Sequence, residues 1–375
     1  GYGSYQFGMG GSMTMLPDAV ENTVGNSEVT WEKVRKQNYG IDLKMFGARL
    51  SLTADYFFEH RYDILSTRNT LPSIVAIELP LINLGEVDNR GYEISLGWNS
   101  RTEKIDWWVQ GNVSYSKNKI IFMDEVMPNY PWMAQTGRST GLNYGYRFDR
   151  FLRADDFDAD GALKSDGEGK PLLPVMSLGS PRPGDALFKD LNGDGKIDGN
   201  DKTYFGYSQR PDYVLGLLGG FRYKNFEISM QWTAGLHASR MLSGEYRNAF
   251  GSTNGRALLK FLADGRWTPE NPDARFPRLT FLNKSHYLED SDLWLMDGSY
   301  LRLKVAEIGY TFRDIPAFRK VGVKSLKVYF SGYNLLTLFS DLNDIDIDPE
   351  GATSGSNIDS YPNVRIFNFG VNITF

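Results

Sequence analysis

Hydrophobic and polar residues alternate with a period of two in several stretches of this chain. Residues 226–233, for example, read FEISMQWT, with aromatic or aliphatic side chains at even positions and polar ones at odd positions. Because successive side chains of a β-strand point to opposite faces, each such stretch has one apolar face and one polar face. The pattern predicts about ten amphipathic strands. The clearest of them cover residues 29–46, 48–56, 91–99, 107–116, 213–223, 226–233, 300–312, 326–338 and 365–375.

The links between these segments are of two kinds. Those at 46–47, 99–104 and 224–225 are short and polar, whereas 123–205 and 236–293 are long and irregular. Short turns on one side and long loops on the other are typical of outer-membrane β-barrels. The sequence therefore predicts an all-β fold over 1–375, an antiparallel transmembrane β-barrel in which 123–205 and 236–293 are long extracellular loops.

The apolar faces of the predicted strands hold many complete Tyr, Trp and Phe rings, several of them at strand ends. If the apolar face meets lipid, the polar side chains of the same strands, such as Arg49, Glu93, Glu227 and Gln231, face the lumen. A soluble β-sandwich with one buried face explains the alternation equally well. It explains the rings at strand ends less well, and the barrel is therefore the favoured fold.

The last residues strengthen this interpretation. Residues 365–375 alternate and stop on Phe375, and such a ring is exposed when a terminal strand frays in water. In a closed barrel the final strand pairs with the first, which leaves no edge. The sequence also starts without Met or a signal segment. We expect the chain to be the C-terminal portion of a larger barrel.

Composition excludes several classes of protein and of functional site. The 375 residues are 14% aromatic, with 39 glycines, a combination that suits strands and tight turns. No stretch approaches the roughly 18 consecutive apolar residues of a membrane helix, whereas barrel strands average out to a polar score. The formal net charge of −5 provides no basic surface for nucleic acid. Cysteine is absent, which excludes disulfides, thiol nucleophiles and zinc–thiolate sites.

One segment matches a metal-binding template. Residues 190–201 read DLNGDGKIDGND, with oxygen ligands at loop positions one, three and five, Gly at six and an apolar anchor at eight. The Asp at the last position is shorter than the usual Glu, and a metal-free acidic turn is the alternative. Residues 156–161 echo the template, but Lys164 and Gly167 occupy later ligand positions, which indicates a solvated turn. The predicted ligands of a structural calcium ion are Asp190, Asn192, Asp194, the carbonyl of Lys196, Asp198 and Asp201.

The sequence contains little evidence for a catalytic site, and no catalytic residue is predicted. The histidines His60, His237 and His286 have no partner at metal or triad spacing. The acidic run 344–348 is expected to be a solvated loop. Aromatic residues in the predicted loops suit stacking on sugar rings or peptide side chains, with packing inside the loops as the alternative. These substrate-contact candidates are Tyr130, Trp132, Tyr144, Tyr146 and Trp267.

Four stretches resemble the C-terminal part of SusC-like TonB-dependent transporters and occur in the order of that family. They are LINLGEVDNRGYEI at 81–94, FKDLNGDG at 188–195, DGSYLRLK at 297–304 and SGYNL at 331–335. VTWEK at 29–33 adds a weaker fifth likeness. The resemblance implies a bacterial outer-membrane barrel of roughly 22 strands with a plugged lumen.

The resemblance also implies a function. Transporters of this family take up glycans or oligopeptides with energy delivered through TonB, and a SusD-like lipoprotein covers the extracellular mouth. Neither the plug nor the TonB-contact segment is recognisable in this sequence, so we expect both in a preceding part of the protein. The predicted function is therefore TonB-dependent import of glycans or oligopeptides. The alternative is a secreted β-rich glycan-binding or glycan-cleaving protein with a structural calcium loop.

Overall fold

The computed structural model describes residues 2–7, 14–19, 25–70, 80–102, 104–177, 179–250, 258–281, 285–313, 315–320, 322–351 and 363–375. Among them, no helix combines the length and the apolar character needed to cross a membrane. The helices are α1 Lys260–Asp264, α2 Ser285–Leu288 and α3 Pro316–Arg319. The strands are β1 Tyr2–Phe7, β2 Thr14–Ala19, β3 Lys33–Met45, β4 Leu50–Ser66, β5 Ile82–Arg101, β6 Ile105–Phe122, β7 Asn143–Gly145, β8 Phe148–Phe151, β9 Val175–Met176, β10 Ala186–Phe188, β11 Lys196–Ile197, β12 Thr203–Phe205, β13 Tyr213–Tyr223, β14 Phe226–Leu236, β15 Ser239–Met241, β16 Leu295–Asp297, β17 Tyr300–Arg313, β18 Ser325–Leu338 and β19 Ile366–Thr374.

Nine long strands form the main sheet, in the order β19-β18-β17-β14-β13-β6-β5-β4-β3. The neighbours from β6 to β19 pair antiparallel. Each of the nine clearest predicted segments overlaps one of these strands, which confirms the fold class. Within the described residues the sheet is open, with β19 and β3 at its edges, while β1 and β2 pair with each other in a separate sheet.

Residue contacts divide the chain into two compact units. One consists of 1–37, 58–90 and 118–138, and the other of 38–57, 91–117 and 139–375. The larger unit contains β13 to β19 completely, and its strand registers show how the two faces of the sheet differ.

Apolar side chains form a continuous row across six strands of the larger unit. Each member stands opposite the next in the antiparallel pairing, and the flanking residue on either side points to the other face. Ile308 is 43% exposed and Phe369 is 73% exposed, so nothing described covers this face. A soluble sheet would bury such a face against another layer. The row consists of Trp107, Phe221, Ile228, Ile308, Phe330 and Phe369.

Aromatic rings mark the two limits of this apolar face. At the end of the long links, the ring centroids of Tyr92 and Tyr115 are 5.4 Å apart, and those of Tyr115 and Tyr213 are 4.6 Å apart. His237 continues the series at 5.2 Å from Tyr213 and 4.5 Å from Tyr207. We call these five residues the upper ring row.

A second set of rings lies at the end of the short turns and is here called the lower ring row. On β6, Trp107 of this row is eight residues from Tyr115 of the upper row, or about 26 Å along the strand. A strand tilt of about 40° reduces this to a height of about 20 Å between ring centres, close to the apolar band of about 25 Å on a membrane barrel. The lower ring row consists of Phe46, Trp98, Trp107, Phe221, Phe226, Tyr310 and Phe312.

The hydrophobic core of the larger unit lies in the links, not in the sheet. The stretches 123–205 and 236–293, which sequence predicted to be irregular, contain the short strands β7 to β12 and β15, and β16 follows directly after the second stretch. Trp294, Phe188, Ile197 and Leu342 in the links are 1% exposed or less. Strands of two to four residues are too short to show a period-two pattern, which is why the sequence did not reveal them. We call the cluster the link core: Tyr146, Leu152, Phe157, Met176, Ala186, Leu187, Phe188, Ile197, Leu242, Ala249, Leu262, Phe276, Trp294, Met296, Leu342 and Ile345.

Candidate functional site

The polar face of the sheet carries paired charges near the short turns. Arg222 Nη2 lies 2.7 Å from Glu227 Oε2, and Lys327 Nζ lies 2.8 Å from Glu307 Oε1 and 3.9 Å from Glu227 Oε1. Gln231, which the sequence placed on the same face as Glu227, is exposed. Because each charge has an opposite neighbour, this wall is highly polar without a strong net charge, a surface suited to water and neutral polar solutes.

Of the other two predicted lumen residues, Glu93 lies on the polar face and Arg49 does not lie on a strand. Glu93 accepts a hydrogen bond of 3.2 Å from the Ser114 hydroxyl, so it lies on the polar face. The prediction that Arg49 lies on a strand was wrong, because residues 46–48 take positive φ angles in a tight turn and β4 begins only at Leu50. A two-strand hairpin needs such a left-handed turn to match the twist of its strands.

A buried ion network joins the link after β18 to the polar face of β17. Arg302, which is only 3% exposed, donates to Asp348 Oδ1 at 2.9 Å, to Glu350 Oε2 at 2.8 Å and to Thr337 Oγ1 at 3.0 Å. Lys304 Nζ contacts the same Glu350 oxygen at 2.6 Å. Two carboxylates thus meet two cations in a site that largely excludes water.

The expectation that 344–348 is a solvated loop was therefore wrong for its last residue. The side chain of Asp348 is 10% exposed, whereas that of Asp344 is 72% exposed and reaches Arg275 only at 3.7 Å. A 3₁₀ turn at Asp341–Ile345 places Leu342 and Ile345 in the link core, and this turn directs Asp348 towards Arg302. A contact between residues 46 positions apart leaves no periodic signal in the sequence.

Side chains of the predicted calcium loop accept hydrogen bonds from backbone N–H groups of the same loop. Asp190 accepts N–H groups of Gly193 and Gly195 at 2.7 and 2.8 Å, and Asp194 accepts the N–H of Lys196 at 2.8 Å. The loop is tied to the link core through Ile197, which is fully buried.

The remaining predicted ligands lie in the same loop with their oxygens turned towards backbone N–H groups. Asn192 Oδ1 accepts from Asp194, and Asp198 Oδ1 accepts from Asn200. The fully buried Asp201 accepts from Leu191 and Asp198 at 2.8 and 2.9 Å. Among the described residues, no group of three or more His, Cys, Asp or Glu side chains is placed to hold a metal ion. Since the predicted set also uses an amide and a backbone carbonyl, the calcium site stays a prediction.

The five substrate-contact candidates differ in how far they are buried. Tyr146 and Trp267 belong to the interior, at 3% and 8% exposure, and burial together with Glu289 raises the pKa of Tyr146 to about 12. Tyr144 is half-buried against Tyr204, with 4.7 Å between ring centroids. Tyr130 and Trp132 are half-buried and stack on each other at 4.5 Å. These last three retain accessible ring surface for a substrate.

The structure gives all three histidines carboxylate neighbours that sequence spacing did not show. For His237 the neighbour is Asp212, whose Oδ2 lies 3.9 Å from Nδ1. His60 Nδ1 lies 2.7 Å from Asp88 Oδ1 across the strands. His286 is fully buried near Asp185, which Arg278 pairs at 2.7 Å. Burial lowers the pKa of His286 against the opposing effect of Asp185. None of the three pairs contacts a Ser or Thr hydroxyl in the contacts described, so none has the geometry of a nucleophilic triad.

Comparisons with known proteins all point to the same family. The family model described as "TonB dependent receptor-like, beta-barrel" matches residues 2–335. TonB-dependent receptor P3 of Formosa agariphila is 30% identical over 377 residues, which cover 93% of this chain and 35% of the relative. TonB-dependent receptor SusC of Bacteroides thetaiotaomicron is 24% identical over 385 residues, which cover 100% and 34%. The chain thus spans about one third of the length of these relatives.

Solved structures agree on the fold. The RagAB peptide importer in its open-open state matches with a TM-score of 0.66 at 18% identity, covering 100% of this chain and 37% of that one. The structure titled RagAB peptide transporter matches with a TM-score of 0.65, covering 100% and 38%. At this level of identity the likeness establishes the fold alone.

Proposed function

We propose, from the premise that this chain belongs to the TonB-dependent receptor-like β-barrel family, that it forms part of the wall of a nutrient importer for glycans or oligopeptides. TonB-dependent receptors are outer-membrane β-barrel proteins, so the main sheet lies in the outer membrane and its apolar face meets lipid. The match to SusC confirms the resemblance found in the sequence. The family consists of receptors and transporters, and the proposed step is passage of a solute without a change of covalent bonds.

The two-faced sheet is the observation that carries this proposal. Its apolar face remains uncovered over six strands, and its polar face presents Arg222, Glu227, Glu307 and Lys327 as ion pairs whose charges balance. A barrel wall needs this arrangement, with apolar side chains towards lipid and polar ones towards a hydrated lumen. The paired charges favour uncharged polar cargo because no excess charge attracts or repels it.

The proposed cargo contacts are the accessible rings in the long links. Tyr130 and Trp132 form a stacked pair after a 3₁₀ turn at Pro131–Met133, and Tyr144 lies beside Tyr204. Flat rings of this kind pack on the apolar faces of sugars and on peptide side chains. The RagAB relatives of this fold are described as peptide importers, which supports an oligopeptide as one of the two cargo classes.

The proposed partners follow from the SusC-like resemblance. A SusD-like surface lipoprotein would cover the mouth formed by the long links, and TonB would act through a preceding part of the protein. Outer-membrane lipid surrounds the apolar face, and no nucleic-acid partner is proposed.

We also propose that 190–201 binds calcium as a structural ion. Asp190, Asn192, Asp194 and the Lys196 carbonyl would supply the first oxygens, with Asp198 and Asp201 completing or supporting the site. All are hard oxygen donors of the kind that calcium prefers. The ion would fix the loop on the link core and would take no part in transport chemistry.

The test of import uses the intact transporter that carries this chain. Cells that lack it should lose growth on one class of glycan or peptide, and the purified protein should release that cargo for identification by mass spectrometry. Replacing Tyr130 and Trp132 together by Ala should lower uptake, whereas Trp31→Ala, at a side chain that is 90% exposed, serves as the control. Unchanged growth on all substrates, or a protein that stays monodisperse without detergent, would contradict import and favour the secreted alternative.

A further inference from the structure

The two ring rows differ in chemistry. The upper ring row consists of four tyrosines and His237, so every member carries an O–H or N–H group. Phe and Trp dominate the lower ring row, which presents mainly hydrocarbon. Rings at a membrane interface contact headgroups with their polar atoms. The two edges of the apolar face are therefore built for headgroups of different hydrogen-bonding character.

Two nitrogen donors, on Lys117 and His237, lie at the upper ring row. Lys117 Nζ and His237 Nδ1 each lie 3.9 Å from the same oxygen, Asp212 Oδ2. This separation is too long for a hydrogen bond, so both nitrogens keep donor capacity for another acceptor. The side chains of Lys117 and His237 are 50% and 47% exposed, whereas that of Asp212 is 14% exposed.

One largely buried carboxylate serves both nitrogen donors. Burial raises the pKa of the Asp212 carboxyl, and the opposing effects of Lys117 and His237 do not reverse that shift. Lys117 and His237 thus share a single carboxylate oxygen at 3.9 Å, which leaves both of them able to bind a further acceptor.

The position of Lys117 is set by the strand. It follows Tyr115 by two residues on β6 and therefore points to the same face, about 7 Å further along the strand. Tyr115 belongs to the ring row that limits the apolar face, so Lys117 stands where lipid headgroups begin. Lysine binds phosphate as a compact point charge, and neighbouring hydroxyl groups can donate to the remaining phosphate oxygens.

We propose that Lys117 and His237, together with the hydroxyl groups of the upper ring row, bind the phosphate of a membrane lipid headgroup. The proposal rests on the proposed function in one respect, namely that the sheet is the wall of an outer-membrane barrel whose long links lie outside the cell. The lipid is then a phosphorylated lipid of the outer leaflet. Asp212 is shared by Lys117 and His237 at the height of the headgroup. The Tyr207 ring stacks on the imidazole and the Tyr213 ring meets it edge-on.

The test measures lipid binding by the intact transporter. The protein in a neutral detergent is titrated with lipid A, phosphatidylglycerol or phosphatidylcholine, and bound lipid is counted by native mass spectrometry. Lys117→Gln is expected to weaken binding of lipid A about fivefold, as for one basic residue near an anionic headgroup, and to leave phosphatidylcholine unchanged. His237→Phe keeps the ring between its tyrosine neighbours and should weaken lipid A binding as well.

Lys224→Gln is the matched control, because Lys224 lies at the short turns, with Nζ 5.4 Å from the Tyr223 ring centroid. It should retain wild-type binding of lipid A. Equal binding of lipid A by wild type and both upper variants would overturn the proposal. Displacement of lipid A by millimolar inorganic phosphate would overturn it as well, because the site would then be a free-anion site.

Measuring cargo uptake distinguishes a failure of the lipid-site proposal from a failure of the proposed import function. Both upper variants should import cargo normally, because Lys117 lies on the apolar face and His237 in its ring row. Wild-type protein that binds lipid A but imports nothing would refute the proposed function and leave the lipid site standing. Normal import with unchanged lipid binding in Lys117→Gln would refute the lipid site alone.

Discussion

Replacement of Arg302 by Met should release the link after β18 from the polar face of β17. The Arg302 side chain is 4% exposed and joins the carboxylates of Asp348 and Glu350, which are 10% and 18% exposed. Removing one partner of a buried ion pair costs about 3–5 kcal/mol, because the other charge remains buried without compensation. Lys304 still neutralises Glu350 in the variant, so the cost should stay within this range and not double.

The assay is hydrogen exchange followed by mass spectrometry on the intact transporter, read at residues 340–351. A local loss of about 3–5 kcal/mol corresponds to exchange that is between about a hundredfold and several thousandfold faster, if the link opens locally. The control is Arg275→Met. Arg275 contacts Asp344 at 3.7 Å with both side chains well exposed, so its loss should cost below about 1 kcal/mol.

A rescue experiment distinguishes charge from packing. In the Arg302→Met protein, the further changes Asp348→Asn and Glu350→Gln remove the uncompensated charges and should restore part of the protection. The reasoning is refuted if Arg302→Met accelerates exchange no more than Arg275→Met. It is also refuted if the added neutral residues make exchange faster still.

Three further outcomes are expected. Ile228→Arg should cost about 2–4 kcal/mol on the lipid-facing side, whereas Ser229→Arg on the polar face should be nearly neutral, as read from the folded fraction on heat-modifiability gels. Asp190→Ala should abolish calcium binding in calorimetry, and Asp158→Ala in the neighbouring acidic turn should not. Burial lowers the pKa of His286 from its ordinary value of 6.5. The stability that the neutral, buried imidazole contributes is therefore complete above pH 6.5. It is lost as the pH falls below that value, by up to about 1.4 kcal/mol per pH unit. Limited proteolysis of the link core between pH 7 and 5 should show this loss, and His286→Leu should remove the pH dependence.

The sheet was predictable because its signal is local and repeated. In β14 the alternation of apolar and polar residues assigns each side chain to a face, and the observed registers keep Ile228, Ile308, Phe330 and Phe369 on one side. The turn at 46–48 shifted a boundary by two residues, because positive φ angles at Phe46 and Ala48 leave no mark in a hydrophobic pattern.

The link core and the ion network could not be predicted in the same way. Tyr146 packs on Phe188 at 4.9 Å, and Arg302 reaches Asp348 from another segment, contacts that depend on which hairpins bring the segments together. The candidate calcium loop was recognisable because all its residues are contiguous. Tyr146 and Trp267 looked like stacking platforms because composition alone does not reveal whether a loop ring is covered.

The link core also constrains the order in which the molecule can fold. Its members come from separate segments of the chain, for example Phe188, Leu242 and Leu342. Strands β13 and β14 lie between the first two, and β17 and β18 lie between the last two. It can close only after the hairpins of those strands have formed, so it belongs to the late, long-range contacts that slow folding. A strand pair that slipped by two residues would keep its faces but displace the attached links by about 7 Å, and the core could not close. Closure of the link core therefore requires the correct strand register.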